Sequence, residues 1–350
     1  MNFALTGAAG YIAPRHLKAI KETKNRLIAA VDPHDSVGIM DSFFPDASFF
    51  TEFERFDRHL EKLRRGPEEQ RVNYVSICSP NHLHDAHIRQ ALRVGADAIC
   101  EKPVVLNPWN LDALLKLEEE YGHRVYTILQ LRLHPAVVAL GERLKVKGEM
   151  GVKGEMGVKG ERLKVKSEEA ILPFTSHLSP FTSSHLSPFT SSHLSPFTSS
   201  RHSVQLTYVA PRGRWYGYSW KGDEEKSGGI ATNIGIHFFD LLLWLFGNVN
   251  SSSVDLYQAK RMSGTLELES AEVSWLLSID EADLPVGADG NKPRSHRAIV
   301  IDGEEIDLTG GFEDLHTTSY REILAGRGFG LADARASIEL VHRLRRTISG

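Results

Sequence analysis

The sequence is poor in cysteine. Cys78 and Cys100 are its only two among 350 residues, too few for a disulfide framework, so nothing calls for an oxidising compartment. Excess positive charge is lacking as well. Lys and Arg number 41 against 45 Asp and Glu, a net charge of −4, which argues against a dedicated nucleic-acid binder but leaves room for a local cationic pocket. No apolar run approaches the roughly 18 residues of a membrane-spanning helix; the longest, 238–246, is broken by Asp240. The opening MNFALTGAAGYIAPRH has no basic leading segment and is interrupted by glycines, so no signal peptide is expected. The expectation is a soluble cytoplasmic protein with neither a membrane nor a nucleic acid as partner.

What is present is ordinary globular usage, 41% hydrophobic, 25% charged and 9% aromatic, at a length that favours two domains. Residues 2–6 read as a short apolar strand, followed by a glycine turn and a helix over about 14–24. Strands are expected at 26–31, 71–77, 97–100 and 124–129, and helices at 53–65, 85–94 and 111–121. This alternation implies βαβ units and a parallel sheet, hence an α/β doubly wound domain at 1–128. Beyond residue 201, strands are expected at 203–209, 252–259, 263–269, 271–279, 297–301 and 305–308. An apolar helix at 235–246 and a closing helix at 333–348 accompany them. This is an α+β domain with a large, mostly antiparallel open sheet, spanning 129–350.

Between them the chain repeats itself. KGEMGV at Lys147 returns at Lys153, ERLKVK at Glu142 returns at Glu161, and SHLSPFTS recurs at Ser176, Ser184 and Ser192. Periods of six and eight match no helical repeat unit. Gly, Ser and Pro dominate, and the stretch has little with which to build a core. It reads as a low-complexity insert at 145–200, disordered and surface-borne; a β-solenoid or partner-binding arm is the alternative. Its His177, His185 and His193 are not expected to hold metal, because nothing positions them.

Five places carry chemistry. Gly7-Ala8-Ala9-Gly10-Tyr11-Ile12 follows a strand and opens a helix, where small residues admit a pyrophosphate to the helix N-terminus; a plain tight turn is the alternative. Asp32, 22 residues after Gly10, ends the second strand where an acid binds ribose hydroxyls, favouring NAD over NADP; a helix N-cap is the other reading. Ser79, Pro80, Asn81 and His84 follow the next strand, at the carboxyl edge of the sheet where ligands bind. Glu101-Lys102-Pro103 follows the strand after that, with Lys102 aimed into the same crevice to donate to a substrate oxygen. The alternative there is a surface ion pair. In Gly228–Asp240 (GGIATNIGIHFFD), His237 stands at the start of an apolar helix and suits proton transfer near neutrality; a satisfied core histidine is the alternative. No metal is expected at His82, His84 and His87.

Together these motifs resemble the glucose–fructose oxidoreductase / inositol dehydrogenase (Gfo/Idh/MocA) family, whose marks include the glycine turn, E-K-P and G-G-x-x-x-D-x-G-x-H-x-x-D. Asn233 stands where the family usually has Asp. Asn is neither acid nor base, so the resemblance leaves the proton relay to His237 and Lys102. Longer stretches, among them SPNHLHDAHIRQALRVGADAICEKPVVLNPWNL, LQLRLHP and RGRWYGYSWKGDEEKSGGIATNIGIHFFD, resemble the UDP-N-acetylglucosaminuronate 3-dehydrogenases within it. That resemblance implies NAD-dependent oxidation of the sugar C3 hydroxyl, in the making of bacterial surface polysaccharide. The implied cofactor residues are Gly7, Ala9, Gly10, Tyr11, Ile12, Asp32, Ser79, Pro80, Asn81, His84, Glu101, Lys102 and Gln130. Lys102, Arg132, Arg214, Trp215, Asn233 and His237 are implied at the substrate, with Arg212 and Tyr216 as further candidates and Gln130 at the end of a strand. 2-Oxoglutarate as co-substrate and a homo-oligomer, in this family a tetramer, are implied too. The rival expectations are a dehydrogenase of another sugar or inositol, and a non-catalytic NAD-binding sensor or scaffold.

Overall fold

The computed structural model describes residues 1–154, 201–286, 291–306, 308 and 314–346. In chain order the first part holds β1 (Asn2–Thr6), α1 (Ala13–Glu22), β2 (Arg26–Val31), α2 (Ile39–Phe43), β3 (Ser48–Phe50), α3 (Phe53–Arg64), β4 (Tyr74–Ile77), α4 (His84–Arg93), β5 (Asp97–Cys100), α5 (Pro108–Tyr121) and β6 (Val125–Thr127). Helix α6 (Pro135–Gly154) continues ten residues into the expected insert, most of which, with its three histidines, lies outside the described residues. The second part holds β7 (His202–Val209), α7 (Trp215–Tyr218), α8 (Glu224–Ser227), α9 (Ile236–Phe246), β8 (Val249–Gln258), β9 (Arg261–Leu268), β10 (Ala271–Ser278), β11 (His296–Ile301), β12 (Glu304–Glu305), α10 (Leu315–Leu324) and α11 (Leu331–Arg346).

The first sheet runs β3-β2-β1-β4-β5-β6 with every pairing parallel. Its middle strand β1, NFALT, is buried at all five positions, the continuous apolar reading of a strand covered on both faces. The second sheet runs β12-β11-β7-β10-β9-β8; β7 and β10 pair in parallel and the other neighbours antiparallel. Helix α9 packs under it. Phe239 meets Trp275 edge to face at 5.3 Å between ring centroids. A Cβ at Gly235 would fall 2.5 Å from Leu277, so only glycine lets the helix come this close to the sheet. The helical stretch Glu224–Phe246 is long and apolar enough to cross a membrane, but 72% of its most apolar window is buried inside the protein. It is a core helix, apolar all round because it is covered all round.

Helix α10 had no expectation in the sequence, and it packs on α1 and on the 130–133 turn. Tyr320 lies against Phe3, with ring centroids 5.9 Å apart, and with Ile323 it joins the cluster of Phe3, Leu5, Leu17 and Ile20. The C-terminal segment thus returns to complete the core beneath β1 and α1.

Candidate functional site

The turn after β1 is shaped by its glycines. Gly7 has φ +81°, and a Cβ there would lie 2.6 Å from the backbone of Cys78 and Ser79, so Gly7 lets the ends of β1 and β4 approach. The amides of Gly10 and Ala13 donate to Gly7 O and Gly10 O, while those of Tyr11 and Ile12 have no acceptor among the described residues. No acid stands in the first turn of α1, which keeps its N-terminus favourable to an anion. Tyr11 is 84% exposed.

Asp32 closes the same turn. Its Oδ2 accepts from Ala9 N at 3.0 Å and its Oδ1 from His34 N at 2.9 Å. No helix starts at residue 33, so the carboxylate ties two strand-end loops together instead of capping a helix. Each oxygen keeps a further acceptor site, which is what a ribose diol requires. The residues present fit a dinucleotide: a helix terminus without acids, a glycine cradle and an acid at the second strand. Gln130 adds a buried Oε1 with no partner among the described residues. Gln130 does not end a strand as expected. Strand β6 stops at Thr127, and Gln130 opens the short helical turn Gln130–Leu133.

The 79–84 segment spends its side chains on the protein. Ser79 Oγ pairs with His87 Nδ1 at 2.8 Å, and Asn81 Nδ2 donates to Ser227 O at 2.9 Å. His84 has Nδ1 at 2.7 Å from Pro103 O and Nε2 at 2.8 Å from Ser79 O. The imidazole therefore staples the turn after β4 to the Lys102–Pro103 turn, whose peptide is cis.

Lys102 and His237 are both partly accessible. Lys102 Nζ donates to Asn233 O at 3.1 Å, and Asn233 Nδ2 donates to Tyr216 Oη at 2.9 Å. Asn233 and His237 lie four apart, on a π-helical turn leading into α9, which puts both beside Lys102. Burial pushes the Lys102 ammonium down to about 8; Glu101 resists this, and Lys221 and Arg212 add to it. Burial, then the Lys102 charge, holds the His237 imidazole well below its usual range. The site at neutral pH pairs a neutral imidazole with an ammonium. Lys221 and Arg212 act on Lys102, and these three, with Arg214 in the same loop, have no ion-pair partner among the described residues. Lys221 lies over the rings of Trp215 and Trp220, at 5.2 and 5.5 Å. Trp215 is 54% exposed, so it is not core, whereas Tyr216 is buried.

Arg132 departs from expectation. Its guanidinium is buried and grips Asp240 twice, Nε to Oδ2 at 2.9 Å and Nη2 to Oδ1 at 2.7 Å, and donates to Asp333 O. Phe329 stacks on it at 5.1 Å. A cation so fully engaged is not free for phosphate or carboxylate, and it serves the packing of α9 and α11. Glu101 is also turned inward, where its Oε1 is 2.9 Å from both His16 Nε2 and His316 Nε2. The three ligand-type atoms lie within 4.8 Å of one another. A contact of 2.9 Å fits a shared proton, being shorter than the ligand–ligand edge of about 3.3 Å around a zinc ion with bonds of about 2.0–2.1 Å. Sequence reasoning missed Lys221, His16, His316 and Tyr320; the last three are brought to Glu101 from distant parts of the chain.

Comparison with known proteins gives the family. Residues 1–128 match the model "Oxidoreductase family, NAD-binding Rossmann fold", and 202–282 match "Oxidoreductase family, C-terminal alpha/beta domain". The WlbA (WbpB) dehydrogenase from Thermus thermophilus, solved in complex with NAD and UDP-GlcNAcA, is 47% identical, with TM-score 0.79, over 99% of this chain and 94% of that one. The same enzyme has been solved with NAD and alpha-ketoglutarate. The Bordetella pertussis WlbA dehydrogenase, at 16% identity and TM-score 0.68 over 99% of this chain and 96% of that one, shares the fold. Among curated proteins, an uncharacterized oxidoreductase ORF334 of Rhizobium meliloti is 31% identical over 86 residues, 23% of this chain. A 2,7-anhydro-N-acetylneuraminate hydratase of Mediterraneibacter gnavus is 24% identical over 123 residues, 35% of this chain. The matched stretches span 26% and 29% of those two proteins' own lengths.

Proposed function

The chain belongs to the Gfo/Idh/MocA oxidoreductases, and from that premise we propose that it oxidises the C3 hydroxyl of UDP-N-acetylglucosaminuronate to the 3-keto sugar with NAD. The observation that carries the reading is 47% identity across 99% of the chain to a dehydrogenase solved with NAD and UDP-GlcNAcA. The site supports it: a neutral His237 stands beside a cationic Lys102, both open to the crevice.

NAD held by the glycine turn and Asp32 would supply the hydride acceptor for C3. His237 takes the hydroxyl proton, which its neutral imidazole is suited to do. Lys102, held by Asn233 O, faces the charge that grows on the oxygen and stabilises it. Asp32, the glycine turn and the N-terminus of α1 hold the dinucleotide. Lys221, Arg212 and Arg214 supply the cationic surface for a substrate with two phosphates and a carboxylate, and guanidinium suits both groups. Trp215, exposed beside them, offers a face for uracil or sugar.

Reduction of 2-oxoglutarate to 2-hydroxyglutarate would restore NAD in place, with His237 returning its proton. The alpha-ketoglutarate complex of the Thermus enzyme supports that half of the cycle. A cytoplasmic homotetramer and a role in surface-polysaccharide synthesis belong to the same proposal. The test is the nicotinamide absorbance of protein mixed with NAD and either UDP-N-acetylglucosaminuronate or UDP-N-acetylglucosamine. A rise with the uronate alone is expected. A rise with neither, in protein that binds NAD, overturns the substrate.

A further inference from the structure

Immediately behind Lys102 lies a polar cluster that the reaction above leaves unused. Glu101 Oε1 faces His16 Nε2 and His316 Nε2 at 2.9 Å each, and Oε2 accepts from Lys102 N at 3.3 Å. His16 Nδ1 is 2.7 Å from Tyr320 Oη, which is 2.6 Å from Ser76 Oγ. Every one of these side chains but Lys102 is buried. Four parts of the fold meet here: α1, α10, β4 and the turn after β5.

These contacts are satisfied when Ser76 donates to Tyr320, Tyr320 donates to His16 Nδ1, and both imidazoles donate Nε2–H to Glu101. The carboxylate is then ionised with three donors, and burial keeps the His16 imidazole below its usual range. We propose that this cluster positions Lys102: His316, carried by α10, fixes Glu101 as a carboxylate beside Lys102 and so keeps the lysine an ammonium. His316 and His16 are positioning residues that never touch substrate. The inference rests on the role given to Lys102 above.

The electrostatics agree. Burial works against the Glu101 charge, but the two histidine contacts outweigh it and hold the carboxyl well below its usual range. The groups acting on Lys102 are Glu101 on its own turn and Lys221 and Arg212 from 211–222; the lysine charge is felt in turn by His237 on α9 and His84 on α4. The thiols of Cys78 and Cys100 and the Tyr320 phenol feel the Glu101 charge. Against Lys221 and Arg212, Glu101 supplies the opposing negative charge.

The test is the pH profile of kcat/KM with NAD and UDP-N-acetylglucosaminuronate for the wild type, Glu101→Gln, His316→Leu and His316→Gln. The alkaline limb reports loss of the ammonium. Glu101→Gln should move it to lower pH by about one unit, and His316→Leu should move it the same way by less. His316→Gln restores an N–H near the place of Nε2 and should bring the limb back. Limbs of Glu101→Gln and His316→Leu that overlay the wild type, with NAD binding intact, overturn the proposal. A His316→Gln limb displaced as far as that of His316→Leu does the same, because it makes the role one of packing. Should His316→Leu fail to fold, Glu101→Gln decides alone, since the amide keeps the shape and loses the charge. A wild type that does not turn over this sugar sinks the proposed substrate but not this inference. The pH dependence of Lys102 labelling by trinitrobenzenesulfonate, mapped by peptide, then reads the same displacement.

Discussion

Glu101 and Lys102 are neighbours in sequence and opposites in setting. Glu101 is sealed behind β5 with two histidines on one oxygen. Lys102 stands in front, partly accessible, within reach of the Lys221 and Arg212 charges, which lack ion-pair partners among the described residues. In the sealed cluster the Glu101 carboxylate is met by three N–H donors, and the arrangement holds elements together. In the open crevice charge is left unmatched, at a cost in desolvation that burial of the Lys102 ammonium already records. The difference teaches how to tell the two roles apart: a buried charge met by hydrogen-bond donors fixes structure, while a cation at an accessible surface without an ion-pair partner awaits an anion.

That contrast can be broken from either side. The largest effect is expected in front: His237→Ala should lower kcat by about 100- to 10,000-fold, with NAD binding, read by fluorescence titration, unchanged. A variant that keeps its rate would place the chemistry elsewhere. Next comes a buried pair. Arg132→Met leaves Asp240 charged and alone, and should cost about 3–5 kcal/mol in urea unfolding. If instead it left stability intact and raised KM, Arg132 would belong to the substrate after all. Arg212→Ala, exposed and unpaired, should do the reverse, raising KM for the UDP-sugar about tenfold, roughly 1.4 kcal/mol, without moving the melting temperature.

The smallest effect concerns acid. Glu101 has its pKa depressed in the fold, so its contribution to stability is present above about 4.5 and is lost as pH falls through lower values. Burial holds the His16 imidazole below its ordinary range; the unfolded chain protonates it below about 6.5, which also favours unfolding as pH falls. The melting temperature should therefore decline from pH 6.5 downwards, and the steeper fall below pH 4.5 should be absent in Glu101→Gln. Equal slopes in both proteins would remove the charge from the account of the cluster.

The sequence carried much of this. Strands β1, β2 and β5 were legible to the residue because buried parallel strands are short apolar runs bounded by turns. The glycine turn, Asp32, Lys102 and His237 could be singled out because dinucleotide binding and proton transfer call for those types at those spacings. Strand β3 was too short to show a period. Helix α10 escaped because its buried face carries His316, Thr317 and Ser319, polar residues that give no hydrophobic pattern. The fate of Glu101 and Arg132 escaped for another reason. Their partners, His316 and Asp240, stand 215 and 108 residues away, and no local pattern distinguishes a cation meant for a ligand from one meant for a buried acid.

The central claim is that His237 and Lys102 remove hydrogen from C3 of the sugar. Its most direct test uses UDP-N-acetylglucosaminuronate deuterated at C3, mixed in a single turnover with NAD and either the wild type or His237→Ala. Mass spectrometry of the nicotinamide should find the label there for the wild type, and on the sugar for the variant. Label that stays on the sugar with the wild type, or moves equally well without His237, would contradict the account.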